Sequence, residues 1–138
     1  MTNATPTNAL SLPTELVHDL VAALGGNGAL DFDAEDLATL LAPGGRAAVS
    51  FGISLDRDDT EAAVNAAWPY PAAETQNIDA LVVVRGGSID VTRYKLIQNA
   101  LELKMEGTGT LLASVQPSKA LPRGVALIVI IAIARDPR

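Results

Sequence analysis

The stretch GVALIVIIAIA, residues 124–134, decides the fold class of this chain. It is too short to cross a bilayer as a helix, because a membrane-spanning helix needs roughly 20 apolar residues. Valine and isoleucine dominate the stretch, and these β-branched residues favour a strand over a helix. Apolar residues do not alternate with polar ones, so both faces of the strand are expected to be covered. The stretch is therefore predicted to be a central strand of a sheet.

The rest of the chain alternates between helical and extended patterns. Helices are predicted over residues 14–24, 34–42, 56–68 and 90–106, and further strands over residues 46–55, 78–87 and 109–117. This order favours an α/β (α+β) fold, a two-layer sandwich with a mixed four-stranded sheet. The two crossover helices, 57–67 and 91–105, are expected to pack on one face of the sheet. The helix at 14–24, or a partner, would then cover the other face.

Composition and charge limit the classes of function. The chain has 138 residues, of which 49% are hydrophobic, and a formal net charge of −6. This length fits one domain, and the acidity opposes binding to nucleic acid or to an anionic membrane surface. There is no cysteine and only one histidine, His18, which is predicted to be a surface residue. Thiolate and histidine-rich metal sites are thereby excluded, and no cofactor held by this chain is expected.

Residues 1–13, MTNATPTNALSLP, precede the first predicted helix. They contain neither the basic segment nor the apolar segment of a signal peptide, which favours a cytoplasmic protein. They are predicted to form a flexible arm, so that a single domain spans residues 14–138.

A cluster of acids lies in GALDFDAEDLATLL, residues 28–41, where Asp31, Asp33, Glu35 and Asp36 fall within six positions. Asp33 and Asp36 could be an N-cap and a first-turn acid, which stabilise a helix start by about 0.5–2 kcal/mol. Alternatively, this pair of carboxylates, three residues apart, could position a water molecule for attack on a phosphoryl group. The chain has no phosphate-binding loop, so that group would come from elsewhere. The spacing leaves both interpretations open.

Two other stretches admit both a functional and a structural interpretation. RGGS, residues 85–88, joins a predicted strand to a predicted helix. Its backbone amides could hold an anion, although it lacks the lysine of a P-loop, and a structural turn is the alternative. Trp68 and Tyr70, in the stretch WPYP, could form an aromatic contact surface, because such residues are enriched at interfaces. They could equally plug the core at the end of a helix.

The acidic stretch resembles the synergy loop of FtsZ, the tubulin-like division GTPase of bacteria and archaea, and of the related archaeal CetZ proteins. That loop has a glycine, two apolar residues, Asn, any residue, Asp, two residues, Asp and an apolar residue. Residues 28–37, GALDFDAEDL, match this pattern without a gap, except that Asp31 replaces the Asn. The similarity extends over the family's C-terminal domain, about residues 14–135, through the stretches RAAVSFGIS, DRDDTEAAVNAA, WPYP and VALIVIIAIA.

This resemblance implies an FtsZ-like C-terminal domain without its GTP-binding domain, which would bind no GTP by itself. In the family, the loop of one subunit completes the nucleotide site of its neighbour, so Asp33 and Asp36 would polarise the attacking water in trans. Asp31 would lie at the same interface and weaken the contact by repelling the triphosphate. The partner would be an FtsZ- or CetZ-like GTPase, or a second copy in a homo-oligomer. The process would be filament assembly in cell division or cell shape.

Two other functions fit the sequence. The first is a self-associating scaffold with no catalytic role, which would form if the sheet leaves an apolar face uncovered. The second is a small enzyme similar to the trimeric chorismate mutases, which share the two-layer architecture. That second function rests on fold analogy alone, and the sequence shows no convergent pocket of arginine and glutamate.

Overall fold

The computed structural model describes residues 10–25, 46–70, 78–87, 89–105 and 109–134. Five strands and three helices are described, in the order β1 (Leu10–Pro13), α1 (Thr14–Gly25), β2 (Arg46–Ser54), α2 (Thr60–Ala67), β3 (Ile78–Gly86), α3 (Val91–Met105), β4 (Leu111–Pro117) and β5 (Ala126–Ala134). The helix predicted at residues 34–42 lies outside the described residues.

The strands form one mixed sheet in the order β1-β2-β5-β3-β4. β5 lies in the middle and pairs antiparallel with β2 on one side and with β3 on the other. β3 and β4 are parallel, as expected for two strands joined by a crossover helix. The prediction that residues 124–134 form a central strand is confirmed.

The sheet has five strands rather than the predicted four, because Leu10–Pro13 forms an edge strand instead of belonging to the arm. Leu10 pairs with Val49, and Pro13 pairs with Arg46. The Arg46 guanidinium donates to the backbone oxygen and the hydroxyl of Ser11, at 2.7 and 2.9 Å. Four residues are too few for an alternation of apolar and polar positions to be visible in the sequence. Residues 1–9 of the predicted arm lie outside the described part of the chain.

Helices cover both faces of the sheet. α2 and α3 pack on one face, where Val64, Ile97 and Leu101 join a cluster with the inward residues of β3 and β5. α1 packs on the other face through Val17 and Val21. The predicted layer of two crossover helices is confirmed. Of the two covers that the sequence allowed for the opposite face, the helix at 14–24 or a partner, the structure shows the helix, α1.

α2 begins at Thr60, four residues later than residue 56, where the sequence placed its start. Residues 55–59 form a turn in which two aspartate side chains bind backbone amides. The Asp56 carboxylate accepts from the amides of Asp58 and Asp59, at 2.8 and 3.2 Å. Such local bonds compete with helical hydrogen bonds, so these acids delay the helix instead of forming its first turn.

Candidate functional site

The acids that the sequence singled out lie outside the described residues. Asp31, Asp33, Glu35 and Asp36 fall in residues 26–45, between α1 and β2. The catalytic role of Asp33 and Asp36 and the interface role of Asp31 stay predictions.

The two aromatic residues predicted as an interface are core residues in the structure. Trp68 and Tyr70 are only 3% and 6% exposed, and their rings meet edge to face with centroids 6.3 Å apart. The Tyr70 hydroxyl donates to the backbone oxygen of Ala132 at 3.4 Å. Both rings belong to the buried cluster that includes inward residues of β3 and β5, so the core interpretation replaces the contact surface.

The glycine turn after β3 is tightly packed. The amide of Ser118 donates to the backbone oxygen of Gly86 at 2.9 Å, which joins the ends of β3 and β4. A Cβ atom at Gly86 would lie 2.6 Å from the side chain of Ile89. This close approach supports the interpretation of Gly86 as part of a structural turn.

A buried arginine, Arg93, organises the end of the sheet where β2, β3 and β4 finish. It is 4% exposed and lies in the first turn of α3. Its guanidinium donates to the hydroxyls of Ser54 and Thr60, at 2.6 and 3.2 Å. It also donates to the backbone oxygens of Gly124, Asp56 and Ser54, at 2.5, 3.1 and 3.3 Å. All these acceptors belong to the chain itself, so Arg93 is a structural clamp and not a ligand-binding group.

The Asp59 carboxylate ties the turn at residues 55–59 to the end of β2. It accepts from the Ser54 hydroxyl at 2.7 Å and from the amides of Leu55 and Asp56, at 3.0 and 3.2 Å. The Ser54 hydroxyl, then these two amides and the positive charge of Arg93 hold the pKa of Asp59 below its usual range. The carboxylate is therefore stabilised in its ionised form.

Asp90 holds the start of α3 in a similar way. Its carboxylate accepts from the Arg93 amide at 2.8 Å and forms an ion pair with Arg57. The Arg93 amide first, and then Arg57, lower the pKa of Asp90. Because both side chains of the ion pair are more than half exposed, solvent screens the pair and it contributes little to stability.

The sequence contains a signal for the burial of Arg93. Arg93 precedes Ile97 and Leu101 by four and eight residues, so helical spacing places it on the buried face of α3. A charged residue at an apolar helix position indicates a buried polar network. Its acceptors, by contrast, come from distant stretches of the chain and could not be identified from spacing.

The described residues contain no group of three or more histidine, aspartate and glutamate side chains placed to hold a metal ion. Within the same residues, none of the helices has the length and apolar character needed to cross a membrane.

Comparisons with known proteins identify the fold. No protein-family model matches the sequence, and a search of curated proteins finds no match. Among solved structures, a single-site mutant of FtsZ from M. jannaschii matches with a TM-score of 0.62 and 17% identity, over 88% of this chain and 40% of the FtsZ chain. TubZ of Bacillus thuringiensis serovar israelensis, in GDP-form protofilaments, matches with a TM-score of 0.52 and 16% identity, over 89% of this chain and 34% of TubZ.

The chain spans about two-fifths of the length of the FtsZ that it matches. At this identity the likeness shows the fold alone, and it confirms the fold that the acidic stretch and the order of elements predicted. The chain therefore has the fold of a part of FtsZ and TubZ.

Proposed function

We propose that this chain associates with an FtsZ-like GTPase subunit and presents its acidic stretch to a nucleotide bound there. The observation that supports this most is the match to FtsZ, which takes in 88% of this chain but only 40% of FtsZ. TubZ, which has the same fold in this part, was solved as protofilaments, an assembly of repeated subunits. A chain with this fold is suited to a similar subunit contact.

The acidic stretch supplies the chemistry in this proposal. Asp33 and Asp36 polarise the water that attacks the terminal phosphoryl group of the neighbour's GTP, a role that needs carboxylates held close to the phosphate. Asp31 adds a third negative charge at the same interface and weakens the contact through Coulomb repulsion. The chain therefore regulates or completes filament assembly, and the nucleotide comes from the partner.

The test is the rate of GTP hydrolysis by FtsZ from the same source, with this chain added. Asp36→Asn removes one carboxylate charge without changing the size of the side chain. Glu102→Gln, at an exposed position on α3, is the matched control because it makes the same change of charge elsewhere. We expect stimulation that Asp36→Asn abolishes and Glu102→Gln retains.

Other results of this assay separate association from catalysis. Inhibition that survives Asp36→Asn would support association, with the chain blocking a filament end, and would refute the role of Asp36. An unchanged rate, together with no co-sedimentation of the chain with FtsZ filaments, would refute the proposal as a whole.

A self-associating scaffold is the second candidate, and a feature of β2 favours it. β1 pairs with β2 only as far as Val49, so the outer edge of Ser50–Ser54 has no strand partner among the described residues. Phe51 and Ile53 are 67% and 54% exposed on one face of this segment. An unpaired apolar edge is a template for pairing with another strand.

Sedimentation velocity over a range of concentrations tests the scaffold. Ile53→Lys places a charge on the open edge and is expected to shift association to higher concentrations. Leu103→Lys is the matched control, because Leu103 is 77% exposed on α3, away from this edge. A monomer at every concentration would exclude the self-associating scaffold. Equal effects of the two substitutions would exclude the outer edge of β2 as the contact between copies.

A further inference from the structure

A cleft of about 540 Å³ opens beyond the carboxyl ends of β3 and β4. It is lined by Gly87, Pro117, Ser118, Lys119, Leu121 and Arg123. The two strands are parallel and end level with each other. The chain after β3 leads into α3, whereas the chain after β4 turns back into β5. Such a divergence opens a crevice outside the strand ends, and ligands bind in this position in open α/β sheets. The volume of the cleft suits a small molecule.

The charged residues that line the cleft are both cations, Lys119 and Arg123. Among the residues that the structure describes, no carboxylate lines the cleft. Neither cation forms an ion pair or a hydrogen bond with any described residue. Two carboxylates at this end of the sheet, Asp59 and Asp90, already accept hydrogen bonds from other groups. In a chain with 16 acidic and 10 basic residues, two cations beside one cleft that pair with no acid in the described part of the chain indicate a site for an anion.

The lining residues also define the chemical class of the ligand. A guanidinium binds two oxygens of a carboxylate or phosphate in a fork, and an ammonium binds a further oxygen as a point charge. Pro117 and Leu121 supply an apolar wall, and Ser118, which is 8% exposed, supplies a hydroxyl. We infer that this cleft binds a small organic anion with two acidic groups, carboxylate or phosphate, held by Lys119 and Arg123.

The net charge of the chain does not prevent this binding. The excess of acidic residues repels an approaching anion at long range. At physiological ionic strength, however, charges more than about 8 Å away are largely screened. The nearby cations of the cleft therefore dominate the interaction, and the affinity is expected to fall as salt is added.

NMR titration of the ¹⁵N-labelled chain tests the inference. The probes are succinate, glycerol 3-phosphate and, as a neutral control, succinamide. We expect saturable shifts at the amides of Gly87, Ser118 and Lys119 with at least one anion and none with succinamide. The anion that binds more tightly identifies the preferred acidic group. Absence of saturable shifts with both anions at millimolar concentrations would refute the inference.

Paired variants separate a site from general attraction. Lys119→Gln with Arg123→Gln is expected to weaken binding by about tenfold or more, because both charged donors are lost. Lys95→Gln with Lys104→Gln removes the same charge from α3 and is expected to leave the affinity unchanged. Equal losses in the two double variants would show that binding is non-specific and would overturn the assignment.

A third variant changes the shape of the cleft without changing its charge. A Cβ atom at Gly87 would lie 3.5 Å from the backbone oxygen of Leu121 and 3.6 Å from that of Ser118, which are ordinary contacts. Gly87→Ala should therefore fold normally and narrow the cleft. Weaker binding with an unchanged midpoint of urea unfolding is expected, and unaltered affinity would place the anion outside the cleft.

Discussion

Replacing Arg93 by methionine should destabilise the fold more than any single substitution of a surface charge. Methionine keeps much of the apolar volume of the side chain but provides no donor. Ser54 and Thr60, which are fully buried, would lose the donor that reaches their hydroxyls, and the backbone oxygen of Gly124 would lose its bond to the guanidinium. Both hydroxyls keep other hydrogen bonds, to Asp59 and to the backbone oxygen of Asp56, so the loss falls mainly on the backbone oxygen of Gly124 and on the strong bonds from a charged donor. A buried acceptor left without a partner costs about 1–3 kcal/mol, and a bond from a charged donor contributes about 1.5–3 kcal/mol.

The net loss is smaller than the sum of these costs. Removing the arginine also removes the free energy of burying its charge, which offsets part of the lost bonding. We therefore expect Arg93→Met to lower the free energy of unfolding by about 3 kcal/mol. With a urea m-value of about 2 kcal/mol per molar, the unfolding midpoint should fall by about 1.5 M.

Urea unfolding followed by tryptophan fluorescence measures this change, because the single tryptophan, Trp68, is buried. Arg57→Met is the matched control, since it removes an arginine from an exposed, solvent-screened ion pair and should shift the midpoint much less. Arg93→Lys should fall between the two, because lysine keeps the charge but loses the fork of donors. If Arg93→Met shifts the midpoint no more than Arg57→Met, the clamp does not stabilise the fold.

Three further predictions concern the turns and the close contacts. The pKa of Asp59 is lower in the folded chain than its ordinary value of 3.8, so the ionised carboxylate stabilises the fold at neutral pH. This contribution is lost as the pH falls below 3.8 and through the lower pKa of the folded state. Asp59→Asn should therefore reduce the acid-induced fall of the urea midpoint, and an unchanged pH profile would contradict this. Gly52→Ala should cost about 1–3 kcal/mol, because its Cβ would lie 2.7 Å from the backbone oxygen of Ala63 on α2. Gly109→Ala should cost more, since Gly109 has a φ of 79° and its Cβ would lie 1.9 Å from the oxygen of Ile78. A wild-type urea midpoint in either glycine variant would contradict the corresponding contact.

The sequence predicted the central strand and the helical layers because these depend on local pattern. A strand covered on both faces needs apolar residues at every position, and β5 has them. The helix α1 has apolar residues at helical spacing, and Val17 and Val21 are indeed buried against the sheet. The burial of a strand face or a helix face can thus be predicted from the pattern of apolar residues in a short stretch of sequence.

Features that depend on contacts between distant residues could not be predicted in the same way. β1 is held by its pairing with β2 and by Arg46, 35 residues from Ser11. The start of α2 depends on aspartate carboxylates that accept hydrogen bonds from nearby backbone amides. These bonds form in the turn before the helix and compete with helical hydrogen bonds. The sequence raised anion binding at residues 85–88 as one interpretation, but it did not place Lys119 and Arg123 there, because α3 and β4 separate Gly87 from these cations in the chain.

The two proposed sites are formed by separate stretches of the chain, so each can be altered without changing the other. Residues 31–36 precede β2 in the sequence, whereas the cleft is lined by Gly87 and by five residues between 117 and 123. Substitutions at sites that share no contacts usually have additive effects, unless both bias a common two-state element. A change of anion affinity on adding FtsZ would therefore mean that the partner contacts the cleft itself or alters the sheet beside it.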